Sequence, residues 1–151
     1  MNTEPLTIHN ASKLWQLLQL AIDDAKEIQK DPRYTLDMGT WHSRLGYQTT
    51  CHACMAGAVM ARELSVAPSV NHNPADFDIS IEYKLEAINA LRTGSLNNAW
   101  SYHTMGNSSS QEFPWLVHMA SNKAHQYSDE PWTDDWKAHR ALVEALKEAD
   151  L

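Results

Sequence analysis

The sequence predicts a mainly α protein: a compact bundle of about five helices around a buried small-residue helix, with at most one short β element. Three observations predict it. Leu14, Leu17, Leu18, Ala21, Ile22, Ala25 and Ile28 recur at the i, i+3, i+4, i+7 spacing of one helix face. The run from Cys51 to about Leu64 is apolar nearly all round, which is the signature of a buried helix. Near the end of the chain, Trp132, Trp136, His139, Val143 and Leu146 alternate spacings of four and three along another face.

The first helix can be capped by Asn10 or Ser12. It ends at Asp31-Pro32, because a residue before proline is pushed out of the helical region. Tyr34, Leu36 and Met38 then alternate with Thr35 and Asp37, the period of a short strand, and Trp41 to Thr50 reads as a loop. Thr50 is placed to cap the small-residue helix. Gly57 within it costs up to ~1 kcal/mol relative to alanine, a cost that close backbone packing would explain. Pro68 to Asp78 is a loop. Ser80 opens a third helix through Ile81, Leu85, Ile88 and Leu91, stopped by Thr93-Gly94 with the glycine left-handed. Ser95 restarts a short helix through Leu96, Ala99 and Trp100. Pro114 suits the first turn of a helix with Trp115, Leu116 and Met119 inward, and Pro131 similarly opens the last one.

At 151 residues and 43% apolar, the chain has the size and composition of one folded domain, residues 1–151. Residues 1–10 are expected to be flexible and 106–112 to form a mobile loop. A formal charge of −7 argues against direct nucleic-acid binding, which needs clustered Lys and Arg. Carboxylates gather at the C-terminal end (Asp129, Glu130, Asp134, Asp135, Glu144, Glu148, Asp150), suiting a basic partner surface. No membrane-length apolar run or signal peptide is visible. Two cysteines three apart suit a reducing compartment, so the expected location is the cytoplasm.

Chemistry is sparse. Cys51-His52-Ala53-Cys54 could supply Cys51, Cys54 and His52 to zinc. A structural site needs four ligands, however, and no second C-x-x-C exists, so no cofactor is expected. A cysteine nucleophile, Cys51 or Cys54 with His42 as base, is the catalytic alternative, although no third orienting residue can be chosen from sequence. Trp41, His42 and Arg44 precede the small-residue helix and could together stack a base and face a phosphate. Trp132 and Trp136 are the other candidate binding residues, since Trp is enriched where binding energy concentrates. An exposed face on the last helix would favour a homodimer.

The strings Asp37-Met38-Gly39-Thr40-Trp41-His42 and Cys51-His52-Ala53-Cys54-Met55-Ala56-Gly57-Ala58-Val59-Met60-Ala61 resemble a family of small uncharacterised proteins of tailed bacteriophages and prophages. Those typically read D-M-x-x-W-H, a polar loop, then C-x-x-C-L-A-G-A-V-M-A. Ala90-Leu91-Arg92-Thr93-Gly94 is similar to their next helix and its glycine stop. The likeness spans roughly Asp31 to Ala99, with Met55 where leucine is usual, a volume-conserving change. It implies expression in the cytosol of an infected bacterium and supplies no activity. The expected function is a non-enzymatic accessory protein binding a host or defence factor, either a protein or a small nucleotide signal. A small cysteine hydrolase or zinc protein centred on Cys51, Cys54 and His42 is the alternative.

Overall fold

A computed structural model describes residues 5–68, 70–105, 112–126 and 136–151. Among these residues, six α-helices pack around one small sheet, so the mainly α class with a short β element holds.

Helix α1 (Leu14–Lys30) buries the predicted stripe from Leu14 to Ile28. Its start is not capped by Asn10 or Ser12. Lys13 is the capping position, and the Gln16 Oε1 reaches back to accept from the amides of Ser12 and Lys13 at 2.8 and 3.0 Å. The end falls at Asp31, which turns to ψ 117° before Pro32 as the proline requires. Within residues 5–10, Ile8 is fully buried, and Asn10 Oδ1 accepts from the Thr7 amide at 2.8 Å.

The largest departure from expectation is at Cys51. Cys51–Ala53 is a strand, β3, not the first turn of a helix capped by Thr50. It lies between β1 (Tyr34–Leu36), which it pairs in parallel, and β2 (His42–Ser43), which it pairs antiparallel. The strand suggested by Tyr34 and Leu36 thereby gains its partner, and β2 falls inside the segment read as a loop. A short apolar run is ambiguous between helix and strand, and here main-chain pairing with Tyr34–Leu36 decides it. Helix α2 (Met55–Glu63) begins only after Cys54, and Met55 through Met60 are all buried. The expected reason for Gly57 is borne out in detail. A Cβ there would lie 1.7 Å from the Trp41 carbonyl oxygen, so that main-chain group occupies the space a side chain would need.

Helix α3 (Ile79–Arg92) is capped by Asp78, whose Oδ1 accepts from the Ile81 amide and the Ser80 hydroxyl; Ser80 itself is not the cap. It stops as predicted at Gly94, left-handed at φ +82°. Helix α4 (Leu96–His103) follows, burying Leu96 and Ala99. Helix α5 (Trp115–Gln126) reverses the expected orientation. Val117, Ser121 and Ala124 face the core, whereas Trp115, Leu116 and Met119 are 73%, 53% and 47% exposed. The contact needs small residues: Ser121 Oγ donates to the Gly94 carbonyl at 2.8 Å, and a Cβ on Gly94 would meet the His125 Cβ at 2.5 Å.

Helix α6 (Lys137–Glu148) buries His139, Leu142, Val143 and Leu146. Pro131, proposed to open it, and the loop residues 106–111 lie outside the described residues. The end of α6 is tied to the start of α1, the Leu151 main-chain oxygen accepting from the Leu14 amide at 2.6 Å while Lys13 pairs with Asp150. Among the described residues, no helix is long and apolar enough to cross a membrane.

Candidate functional site

The sheet sorts the sequence-selected residues onto two faces. Side chains alternate along β3, so Cys51 and Ala53 turn into the core while His52 turns outward. This pleat separates Cys51 from His52, and Cys54 lies beyond the strand at the capping position of α2. Cys51, Cys54 and His52 therefore do not converge. Among the described residues, no group of three or more His, Cys, Asp or Glu side chains is arranged to hold a metal ion.

On the inner face His42 is only 1% exposed. Its Nδ1 lies 2.7 Å from the Val70 carbonyl, which can only accept, so that nitrogen carries the proton. Nε2 is then the acceptor for the Tyr34 hydroxyl at 3.1 Å. The Cys51 sulfur sits 3.6 and 3.7 Å from the two nitrogens, between them instead of along either lone pair. Burial pushes the imidazole toward its neutral form, against the hydrogen bond to Val70. The Tyr34 hydroxyl is pushed up to about 12, first by burial and then by Cys51. Both nitrogens are engaged, so His42 is not poised to take a proton from Cys51. Cys54 is no better placed: burial raises its thiol pKa despite the helix start, and its sulfur lies 3.9 Å from the Trp41 carbonyl.

On the outer face His52 donates from Nδ1 to Asp37 Oδ2 at 2.9 Å, and Asp37 Oδ1 accepts from the Gly39 amide. The bond from His52 holds the Asp37 carboxyl below its usual range. Ser43 is the cross-strand neighbour of His52, an arrangement with the residue types of an acyl-transfer triad. Its hydroxyl is instead 3.0 Å from the Thr40 hydroxyl, so nucleophile and base are not joined.

The proposed Trp41, His42 and Arg44 surface is also divided. Trp41 is half-buried against the core, His42 is inside, and Arg44 is exposed, its Nε donating to the Gln48 carbonyl at 2.9 Å. Trp136 is 3% exposed, donating from Nε1 to Gln29 Oε1 at 3.2 Å, which makes it a core residue and not a contact for a partner. Trp132 lies outside the described residues. Of the acidic C-terminal residues, Asp129, Glu130, Asp134 and Asp135 lie outside the described residues, while Glu144, Glu148 and Asp150 share α6 and its end with Lys137, Arg140 and Lys147.

Three features had no sequence signal strong enough to single them out. Asp24 and Glu63 meet across α1 and α2. Burial and then Glu63 push the Asp24 carboxyl up to about 8, while Arg62 at 3.3 Å acts the other way. An adjoining cleft of about 470 Å³ is lined by Arg33 and Arg62, each already paired with a carboxylate. The third feature is the outer face of α5. Its three large apolar side chains occupy i, i+1 and i+4, a grouping read above as core. Comparison with protein-family models, with characterised proteins and with solved structures finds no match for this chain.

Proposed function

We propose that the protein is a non-enzymatic accessory protein that binds another protein through the outer face of α5, acting on a host or defence factor in the bacterial cytosol. The observation that carries this reading is the exposure of Trp115, Leu116 and Met119 together on one short helix. Clustered bulky apolar groups in water mark interaction surfaces, and Trp is the residue most enriched at binding hot spots. Helix α5 contains no carboxylate and carries Lys123 on its exposed surface, within an acidic chain. The complementary patch on the partner is therefore apolar, with a carboxylate to face Lys123. The cytosolic setting rests on the likeness to phage proteins and on two cysteines that form no disulfide.

The cysteine-hydrolase alternative draws little support from this geometry, because both thiols are buried and His42 is engaged at both nitrogens. The test is capture of a partner from bacterial lysate at low salt by the intact chain and by a Trp115→Ser, Met119→Ser double variant. A stoichiometric partner retained by the first and lost from the second, with unchanged melting temperature, is expected. Equal retention by both would remove α5 as the contact, and no partner on either would remove the reading.

A further inference from the structure

A second cleft, of about 220 Å³, opens between the segment just before α1 and the facing ends of α3 and α4, and no residue of α5 lines it. Tyr83 and Tyr102 form its aromatic wall, with ring centroids 5.9 Å apart and a tilt of 45°. Lys84 lies between the tyrosines and the N-terminal segment. Its Nζ donates to the carbonyl oxygens of Ile8 at 2.7 Å and His9 at 3.3 Å. Those partners are neutral. Among the described residues no carboxylate forms an ion pair with Lys84, Asp78 acting only at a distance. The ammonium is thus partly withdrawn from water with its positive charge unmatched. His103 also borders the cleft and is held toward its neutral form, by burial and then by Lys84 itself.

We propose that this cleft binds a small monocyclic aromatic carboxylate, its ring against Tyr83 and Tyr102 and its carboxylate on Lys84 Nζ. The chemistry of the lining sets each part of the ligand. A flat ring gains offset stacking and apolar burial on the tyrosines. An anion supplies the counter-charge that the two carbonyls cannot, in a charge-assisted hydrogen bond. Size agrees: a cleft of about 220 Å³ has room for a ring with one substituent. The site is distinct from the α5 surface and does not depend on it.

The experiment is titration of the full chain at neutral pH with benzoate, benzamide and AMP, followed by amide chemical shifts in NMR. Saturable benzoate binding is expected, with shifts centred on Tyr83, Lys84 and Tyr102. Lys84→Met is expected to weaken it by about tenfold or more, the usual effect of removing a charged hydrogen-bond partner. Because Lys84 also tethers the N-terminal segment, Tyr83→Leu provides a second variant that leaves the tether in place and should weaken benzoate several-fold. No saturable shift with benzoate would overturn the proposal. Benzamide binding as tightly as benzoate would remove the role of Lys84, and AMP binding in preference to benzoate would overturn the assigned size.

Discussion

The hub formed by the sheet and α2 and the layer formed by α5 and α6 use small residues for opposite purposes. In the hub, Ala53, Ala56, Gly57 and Ala58 are buried, and the Trp41 backbone closes to within the space of a missing methyl. In α5 the small residues Ser121 and Ala124 form one narrow inward stripe, leaving the bulk of the helix outside. The two regions also treat histidine differently. His42 in the hub has a partner for each nitrogen, whereas His139 on α6 is also buried and its Nε2 has no hydrogen-bond partner among the described residues. Beneath the outer layer, Trp136 stacks edge-on to His139 at 5.6 Å.

The sharpest way to break this contrast is Gly57→Ala. The new methyl would meet main chain, not a movable side chain, so a loss of about 3 kcal/mol or more is expected in urea unfolding. A loss below about 0.5 kcal/mol would mean that the hub tolerates relaxation and is not tightly closed. Acid provides the next largest effect. Burial, then Arg92, pushes His139 down to about 4, below its ordinary 6.5. Between those values the unfolded chain binds a proton that the folded one does not, so stability falls as pH drops from 6.5 toward 4 and is unaffected by this group above 6.5. At ~1.4 kcal/mol per pH unit the full loss is about 3 kcal/mol. Asp24 acts in the opposite direction as pH falls, so the measurement is the difference between the wild-type chain and His139→Leu across that window. Parallel stability curves for the two would show that His139 is not the titrating group.

Gly94→Ala probes the attachment of α5. Its positive φ and the approach of His125 should together cost about 2 kcal/mol by thermal unfolding, and an unchanged midpoint would argue that α5 is loosely attached. The smallest effect belongs to the outer face. Trp115→Ser with Met119→Ser should change stability by no more than about 0.5 kcal/mol while abolishing partner capture. A large destabilisation would show that these side chains are structural after all.

Much of the helical framework was legible because it rests on periodicity and local stops. The stripe of α1 and the glycine end of α3 follow from local pattern, as does the small-residue α2 from Met55 onward. The sheet was not legible, because pairing Tyr34 with Cys51 is a long-range contact that no local pattern at Cys51 encodes. The orientation of α5 was misread for a different reason. Val117, Ser121 and Ala124 have helical spacing too, but their small size gave the apolar signal to Trp115, Leu116 and Met119. The candidate chemistry suffered in the same way: C-x-x-C spacing suggested convergence on a helix, and the pleat of β3 placed His52 and Cys51 on opposite faces instead. Tyr34 was marked as a strand residue, yet only the folded sheet brings it to His42.

The bond between Leu14 and the carbonyl of Leu151, with that from Trp136 to Gln29, has a consequence for synthesis on the ribosome. The face of α1 is synthesised well before the helix that covers it, Trp136 lying 107 positions beyond its partner Gln29. At ~5–20 residues per second the nascent chain carries that face uncovered for roughly 5–20 seconds. During that interval the uncovered leucines of α1 are open to chaperones, and a message cut short before α6 would yield a product that never buries them.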